Sequence, residues 1–463
     1  MQLDLRKIWI EQGLYPLMEL FKGNRIRHYL TQLQKSNFFP PAKLHDLQKE
    51  RLAQLLTTCA KHVPAYQRLG LSLEEIQQDP FQVLGKIPIL TKSQIQHHPQ
   101  DFLNPLYNVS QLVPNQTGGS TGKPLRFFMT RVDVEHSEAA RWRGLSWWGV
   151  GLGSRSLMLW GNPIELTESK QRRMRWRELY LKNRQILSAY TLHEKNVPHY
   201  LKLLNRYQPE YLYGYATALF QFAKLLWPHR SSLRLNRLKI VVSTAETLST
   251  EQQDTIEQTF GCPVVNEYGA RDVGILAYTC PHGHLHLSAE NMILEIVDPL
   301  TLTPVPPGQR GLVVVTNLYQ DAMPRLRYLL GDTATITQET CACGLTLPIL
   351  ENIEGREDAL FQLPDGTLVH GNFLNHLVKK YPSIVQFQLI QTDLYHAQLN
   401  VVQKQEAKDE FRAFQADIAK QMPGVCVQGK LCSQISKEAS GKFRYAIRQF
   451  ALIQQTETTF SKG

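Results

Sequence analysis

No stretch of the chain approaches eighteen uncharged apolar residues, which excludes a helix that spans a bilayer. The first thirteen residues bring Asp4, Arg6 and Lys7 early and contain neither an apolar core segment nor a cleavage site, so no secretory leader is read there. Cysteine is sparse: Cys59, Cys262, Cys280, Cys341, Cys343, Cys426 and Cys432 are seven in 463 residues, an odd and dispersed set. That excludes a disulfide framework and leaves reduced thiols or a metal site. Fixed-period repeats and low-complexity segments are also missing. The expectation from these absences is a cytoplasmic protein with no transmembrane anchor.

Two nucleotide signatures fail as well. A Walker A loop needs glycine at position 117 and a hydroxyl residue after the lysine, but the chain has Thr117 and Pro124. Gly149, Gly151 and Gly153 lack the third glycine of a dinucleotide fingerprint, because Ser154 stands where it is needed and the strand follows the loop.

What is present suits a large globular chain. With 43% hydrophobic residues, the chain can fill two or three domain cores. Its formal charge of +10 would suit a polyanion, but the densest basic stretch, Lys170 to Arg184, has Trp176 and Leu179 at helical spacing and reads as a solvated amphipathic helix. No nucleic-acid partner is expected. Apolar residues three and four apart predict helices over 8–21 and 43–59, within a helical region of about residues 1–110. From about residue 113, short β-rich runs at 157–160, 239–243, 264–266, 292–297 and 312–316 alternate with helices and predict an α/β core. Pro304 to Gly311 reads as a loop between strands. A boundary is placed near Glu354-Gly355-Arg356, giving domains 1–354 and 355–463, and Asp365-Gly366 predicts a hairpin followed by helices around 372–380 and 405–421.

The sharpest local feature is Thr117-Gly118-Gly119-Ser120-Thr121-Gly122-Lys123-Pro124, ahead of the apolar run Leu125 to Met129. Glycines allow backbone N–H groups to converge, and the hydroxyls and ammonium add donors and charge suited to phosphate. Read in order, TGGSTGKP at 117, NEYGARDVG at 266, RYLLGDTA at 327, GRED at 355 and SGKFR at 440 resemble the core motifs of the adenylate-forming superfamily. Within it the resemblance is to phenylacetate-CoA ligase-like proteins, including the CapK group, whose N-terminal signatures are also similar to Ala60 to Tyr66 and Lys86 to Ile95.

The resemblance implies a large N-terminal α/β domain with mixed sheets and a small, mobile α+β C-terminal domain. It implies that a carboxylate attacks the α-phosphate of ATP, pyrophosphate leaves, and a thiol, here coenzyme A, usually displaces AMP. Thr117, Ser120, Thr121 and Lys123 match the phosphate loop. Tyr268 lies in the aromatic motif, and Asp272 matches the acid that helps hold magnesium, with Asp in place of the usual Glu. Asp332 matches the acid that accepts both ribose hydroxyls, although Leu329 and Leu330 replace the usual Arg-Thr. Arg356 matches a ribose or phosphate contact, Asp358 the interdomain pivot, and Lys442 the catalytic lysine whose charge would stabilise the reacting oxygens. Glu246 and Ala245, with Tyr213 and Tyr215, resemble the segments that line the adenine and acyl sites.

Cys280 is followed by His282, His284 and His286, and Cys341-Ala342-Cys343 comes some sixty residues later. Three thiols and an imidazole would make a closed structural zinc site. His286 is the fourth ligand that the resemblance favours, with His282 and His284 as alternatives. A homodimer is compatible with all of this. So are transfer to a carrier protein, sugar or amine instead of coenzyme A, and a non-catalytic scaffold role.

Overall fold

The structure, a computed structural model, describes residues 4–117, 125–161, 168–189, 192–356, 360–371, 373–404, 408–435, 444–450 and 452. Ser120, Thr121, Lys123, Asp358 and Lys442 fall outside the described residues.

Hydrophobic alternation explains the centre of the molecule. In the run Tyr211–Tyr215, Tyr211 and Tyr213 enter one apolar core while Leu212 enters another. Ile240 and Val242 against Val241, and Val265 against Val264, repeat the division in the next two strands. Side chains of period two with both sets buried are what a strand covered on both faces requires. The helices Val197–Tyr207, Ala216–Leu226 and Thr250–Phe260 cover one face. Arg131–Ser146 and Ile26–Ser36 cover the other. Helix Thr250–Phe260 is bounded by a capping box between Ser249 and Gln252 and by Gly261 in the left-handed region (φ 68°), which turns the chain into the strand Val264–Ala270.

Eleven strands form the main sheet. In spatial order they are Met292–Val297, Arg310–Asn317, Tyr328–Thr337, Ile349–Arg356, Leu285–Leu287, Gly274–Thr279, Val264–Ala270, Ile240–Thr244, Tyr211–Tyr215, Ser156–Trp160 and Arg184–Ser188. The last five pair in parallel and the rest antiparallel, so the sheet changes character at Val264–Ala270. The Lys86-to-Ile95 segment joins its antiparallel half, where Leu90 donates its N–H to Arg327 and accepts one from Leu329 (2.9 and 2.8 Å). A smaller C-terminal α+β domain contains a four-stranded sheet ordered Cys426–Leu431, His396–Gln403, Ile384–Gln391 and Ala446–Arg448, covered by helix Lys408–Gln421 around a core that includes Phe387, Leu399 and Phe414.

All five β-rich runs read from the sequence lie in strands, and the 304–311 loop separates Met292–Val297 from Arg310–Asn317. The Asp365-Gly366 hairpin joins Leu360–Gln362 to Leu368–His370. The long helix is Pro41–His62, while 8–21 falls in a helical run that passes through a π-helical segment, Trp9–Leu14. The basic stretch is a helix, Glu168–Lys182, but Trp176 points to solvent and does not line a buried apolar side. Glu354-Gly355-Arg356 ends a sheet strand, with Arg356 in register with Asp332.

Two packing constraints are directly testable. A β-carbon on Gly144 would overlap the buried ring of Tyr278. Overpacking of that kind costs about 3 kcal/mol, against a helix-propensity gain of about 1 kcal/mol, so Gly144→Ala should lower both the urea midpoint and the melting temperature. His136 stacks on Tyr319 (3.5 Å between centroids) and Tyr29 (4.0 Å) and donates from Nδ1 to Asn291 (3.2 Å). Burial lowers its pKa from 6.5 to about 4, with Arg51 and His28 adding repulsion. The unfolded chain binds this proton below pH 6.5 and the folded chain only near pH 4, so stability should fall with pH across that window. His136→Gln should flatten that slope in denaturant titrations.

Candidate active site and cysteine cluster

Ligands of open α/β sheets bind beyond the carboxyl ends of the parallel strands. Here Tyr215, Thr244 and Glu267 lie side by side in register at those ends. Glu267 is almost completely buried and ties them together. Its Oε1 accepts from Tyr213 (2.6 Å) and Thr244 (3.2 Å), and its Oε2 pairs with Arg141 Nε at 3.1 Å. A buried carboxylate is tolerable only with partners of this kind. Burial, assisted by the Glu267 charge, holds the Tyr213 phenol well above its ordinary pKa, which keeps it a donor.

The residues that follow these ends are the ones anticipated from the motifs. Ala245 leaves its strand in the left-handed region (φ 64°), an unfavourable conformation for a residue with a β-carbon. Glu246 then reaches the N-terminus of helix Ala216–Leu226, where one oxygen accepts from the Thr217 N–H (2.9 Å) and hydroxyl (2.7 Å). Tyr215 stacks on Trp160 with centroids 4.4 Å apart, and Tyr213 lies 5.8 Å from the same ring. Tyr268 donates its hydroxyl to Asp332 Oδ2 at 3.0 Å, across the junction between the two halves of the sheet. Tyr268, Asp332 and the backbone of Arg356 opposite Asp332 therefore come together, while Glu246 is held at the helix terminus two residues beyond Thr244.

Asp272 is held from two sides. Its Oδ2 accepts from the Tyr328 hydroxyl at 2.8 Å, and its carbonyl accepts from Gln320 (2.6 Å) and Arg325 (2.5 Å). The guanidinium of Arg325 also donates to Gln320 and lies 4.4 Å from the Phe127 ring centre. Burial raises the nearby Asp133 carboxyl to about 7, against the pull of Arg325. Neither Arg325 nor Arg327 is a surface arginine: Arg327 pairs with Glu295 at 3.0 Å and donates to the carbonyls of Gly85 and Ile87. Thr117 and Leu125 meet on either side of the glycine-rich loop: the Thr117 N–H donates to the Leu125 carbonyl (2.9 Å) and the Thr117 side-chain oxygen accepts the Leu125 N–H (2.9 Å). Arg271 donates to the carbonyl of Gln116 (3.3 Å), bringing that side of the loop to the Asp272 turn.

Motif reading assigned no role to Glu267 or Arg141. A charge directly after the apolar pair Val264-Val265 and Asn266 was the available signal for Glu267. Arg141 carries no comparable mark.

A second cluster lies where Gly274–Thr279 and Leu285–Leu287 meet the loop before Ile349–Arg356. The ligating atoms of Cys280, His286, Cys341 and Cys343 lie within 4.8 Å of one another. Cys280 and Cys341 sulfurs are 3.6 Å apart and unbonded, and Cys343 Sγ is 3.3 Å from His286 Nε2. His286 directs Nδ1 to the Leu347 carbonyl at 2.9 Å, which leaves Nε2 toward the sulfurs. Edges near 3.7 Å are those of a tetrahedron with metal–sulfur bonds of about 2.3 Å, so the donor set fits zinc. His284 stands beside it, with Nδ1 3.2 Å from Cys341 Sγ.

Comparison with known proteins follows the same division. The family model of the AMP-binding enzyme matches residues 185–318, and that of the CapK C-terminal domain matches 361–449. The chain is 24% identical to protein CapK of Staphylococcus aureus over 384 residues, 81% of each chain. It is 26% identical to a phenylacetate-coenzyme A ligase of Thermus thermophilus over 375 residues, 76% of each. In fold it is similar to a 2-hydroxyisobutyryl-CoA ligase crystallised in a postadenylation state, with TM-score 0.68, 18% identity and coverage of 89% of this chain and 90% of that one. The chain thus carries an AMP-binding enzyme region and a CapK C-terminal domain, and these matches support its place with the adenylate-forming proteins of the phenylacetate-CoA ligase-like and CapK type.

Proposed function

We propose that this adenylate-forming enzyme joins a carboxylic acid to coenzyme A through an acyl-adenylate. The observation that supports the reading best is the Tyr268 hydroxyl bonded to Asp332 Oδ2, with the backbone of Arg356 paired opposite Asp332. In the first half-reaction a substrate carboxylate oxygen bonds to the α-phosphorus of ATP and the bond to the pyrophosphate oxygen breaks. Asp332 accepts from the ribose hydroxyls, with Arg356 beside it. Thr117, Ser120, Thr121 and Lys123 receive the β- and γ-phosphates, and Lys442 neutralises charge on the reacting oxygens. In the second, the thiol of coenzyme A displaces AMP after the segment 355–463 turns on Asp358 relative to 1–354. Tyr213, Tyr215 and Ala245 border the acyl group, and the Trp160–Tyr215 stack suits a flat acid. Asp272 supplies a carboxylate to magnesium, whose other ligands in such sites are phosphate oxygens and water.

A second reading keeps the acyl-adenylate and transfers the acyl group to a carrier protein, sugar or amine. Pyrophosphate exchange measured over a panel of carboxylic acids should find one that supports exchange, and coenzyme A should then yield its thioester. Exchange without thioester favours the second reading, and no exchange with any acid overturns adenylation by this chain. Lys442→Ala should lower the exchange rate ~100-fold or more.

Cys280, His286, Cys341 and Cys343 would hold a structural zinc that ties their two loops together, well away from the acyl transfer. Purified protein should contain one zinc per chain. Cys341→Ser should remove it and lower the melting temperature, and a metal-free protein of unchanged stability would refute the site.

A further inference from the structure

The helical run from Leu5 to Lys22 buries Ile10 but leaves Leu5, Trp9, Leu17, Leu20 and Phe21 facing solvent, with Trp9 61% and Phe21 86% exposed. Leu5 and Trp9 are four residues apart, and Leu17 stands three and four before Leu20 and Phe21, so each group shares a helix face. The basic helix Glu168–Lys182 lies against this run. Arg6 donates to the carbonyl of Leu179 at 2.5 Å, and its guanidinium sits 5.3 Å from the centre of the Tyr180 ring. Tyr180 in turn packs 5.2 Å from Trp176, and both are more than half exposed. Three aromatic rings and several aliphatic side chains thus stand exposed on two elements that touch, beyond the isolated exposed residues that any soluble protein shows.

The charge of this surface is equally one-sided. Arg173, Arg175 and Arg177 are exposed in the same turns as Trp176. Of the neighbouring acids, Asp4 is engaged by Arg155 and Arg237, Glu178 by Lys182 and Arg184, and Glu19 by the N–H of Arg27, which leaves Glu11 against three exposed arginines. The three arginines have no carboxylate partner among the described residues.

A second copy of the chain would bring the same excess positive charge, part of a net +10, to this face and be repelled. A nucleic acid would answer the arginines but not the aliphatic face of Leu5, Leu17, Leu20 and Phe21. An anionic bilayer answers both, because phosphates attract guanidinium groups while indole and phenol rings settle between headgroup and acyl chain. We propose that the Leu5–Lys22 run and helix Glu168–Lys182 dock the protein peripherally on an anionic lipid surface. Trp9, Trp176 and Tyr180 enter at headgroup depth, and Arg173, Arg175 and Arg177 pair with lipid phosphates.

The test is co-sedimentation of the full-length protein with vesicles of phosphatidylcholine mixed with phosphatidylglycerol, beside vesicles of phosphatidylcholine alone. Binding is expected only to the anionic vesicles, weakening as salt rises. Replacing Arg173, Arg175 and Arg177 by Gln should reduce affinity roughly 100-fold, ~5-fold for each charge. Trp9→Ser with Trp176→Ser should weaken binding, keep its salt dependence and abolish quenching of tryptophan emission by brominated lipid. Circular dichroism and thermal melting establish that each variant is folded. Absence of binding to anionic vesicles at low salt overturns the proposal, as does binding that neither set of substitutions changes. A dimer that Trp9→Ser dissociates, without vesicle binding, assigns the face to a second copy, and binding of a single-stranded oligonucleotide without vesicle binding assigns it to nucleic acid.

Discussion

The carboxylate of Glu267 is the interaction on which the candidate active site depends. It lies in the one strand where the sheet passes from parallel to antiparallel pairing, and it is bonded from the adjacent parallel strand, from the parallel strand beyond that and from helix Arg131–Ser146. Those strands and the helix are thereby held at a common height where Tyr215 ends its strand and Ala245 and Glu246 leave theirs. Removing a single partner would leave a buried charge uncompensated, so the arrangement is maintained as a unit.

A second buried network carries the other edge of the site. Arg325 and Gln320 grip the carbonyl of Asp272 while Tyr328 grips its carboxylate, so the turn after Tyr268 is fixed by the antiparallel half of the sheet. The hydrogen bond from Tyr268 to Asp332 then links the two halves directly. Parts from residues 113 to 356 are brought to one place by backbone pairing, and side chains set the final geometry. Leu360, the first described residue beyond that sheet, packs with Val297, Leu312 and Val314, while its carbonyl accepts from Arg448 of the smaller domain at 2.6 Å. The connection between domains thus has an apolar footing on the larger one and a polar one on the smaller.

The cysteine cluster and the basic aromatic face lie apart from this chemistry and follow different physics. The cluster gathers three sulfurs and an imidazole from two loops that sequence separates by more than fifty residues, around a carbonyl that orients the histidine. The face exposes what a folded chain ordinarily covers. Asp4, Glu19 and Glu178 are engaged internally, and its arginines are left for a partner of opposite charge.

Local pattern was enough for much of this. Period-two alternation in Leu157 to Trp160, Lys239 to Ser243 and Val264 to Asn266 gave strands because a pleated backbone must send successive side chains to opposite faces. The order of five motifs gave the chemical class, since residue types suited to phosphate, ribose and a mobile lysine recur there in sequence. The cysteine and histidine spacing gave the ligand candidates and the resemblance favoured His286, and the fold brings His286 to the three sulfurs with His284 beside the set. What the chain could not disclose locally was every contact made across long separations. The bond from Tyr268 to Asp332 spans 64 residues and that from Tyr213 to Glu267 spans 54. The exposure of Trp176, an apolar residue at helical spacing, likewise depended on which face the neighbouring Leu5–Lys22 run covered. Alternation and capping are properties of consecutive residues, whereas burial and charge pairing are set by strand order, which only the tertiary structure decides.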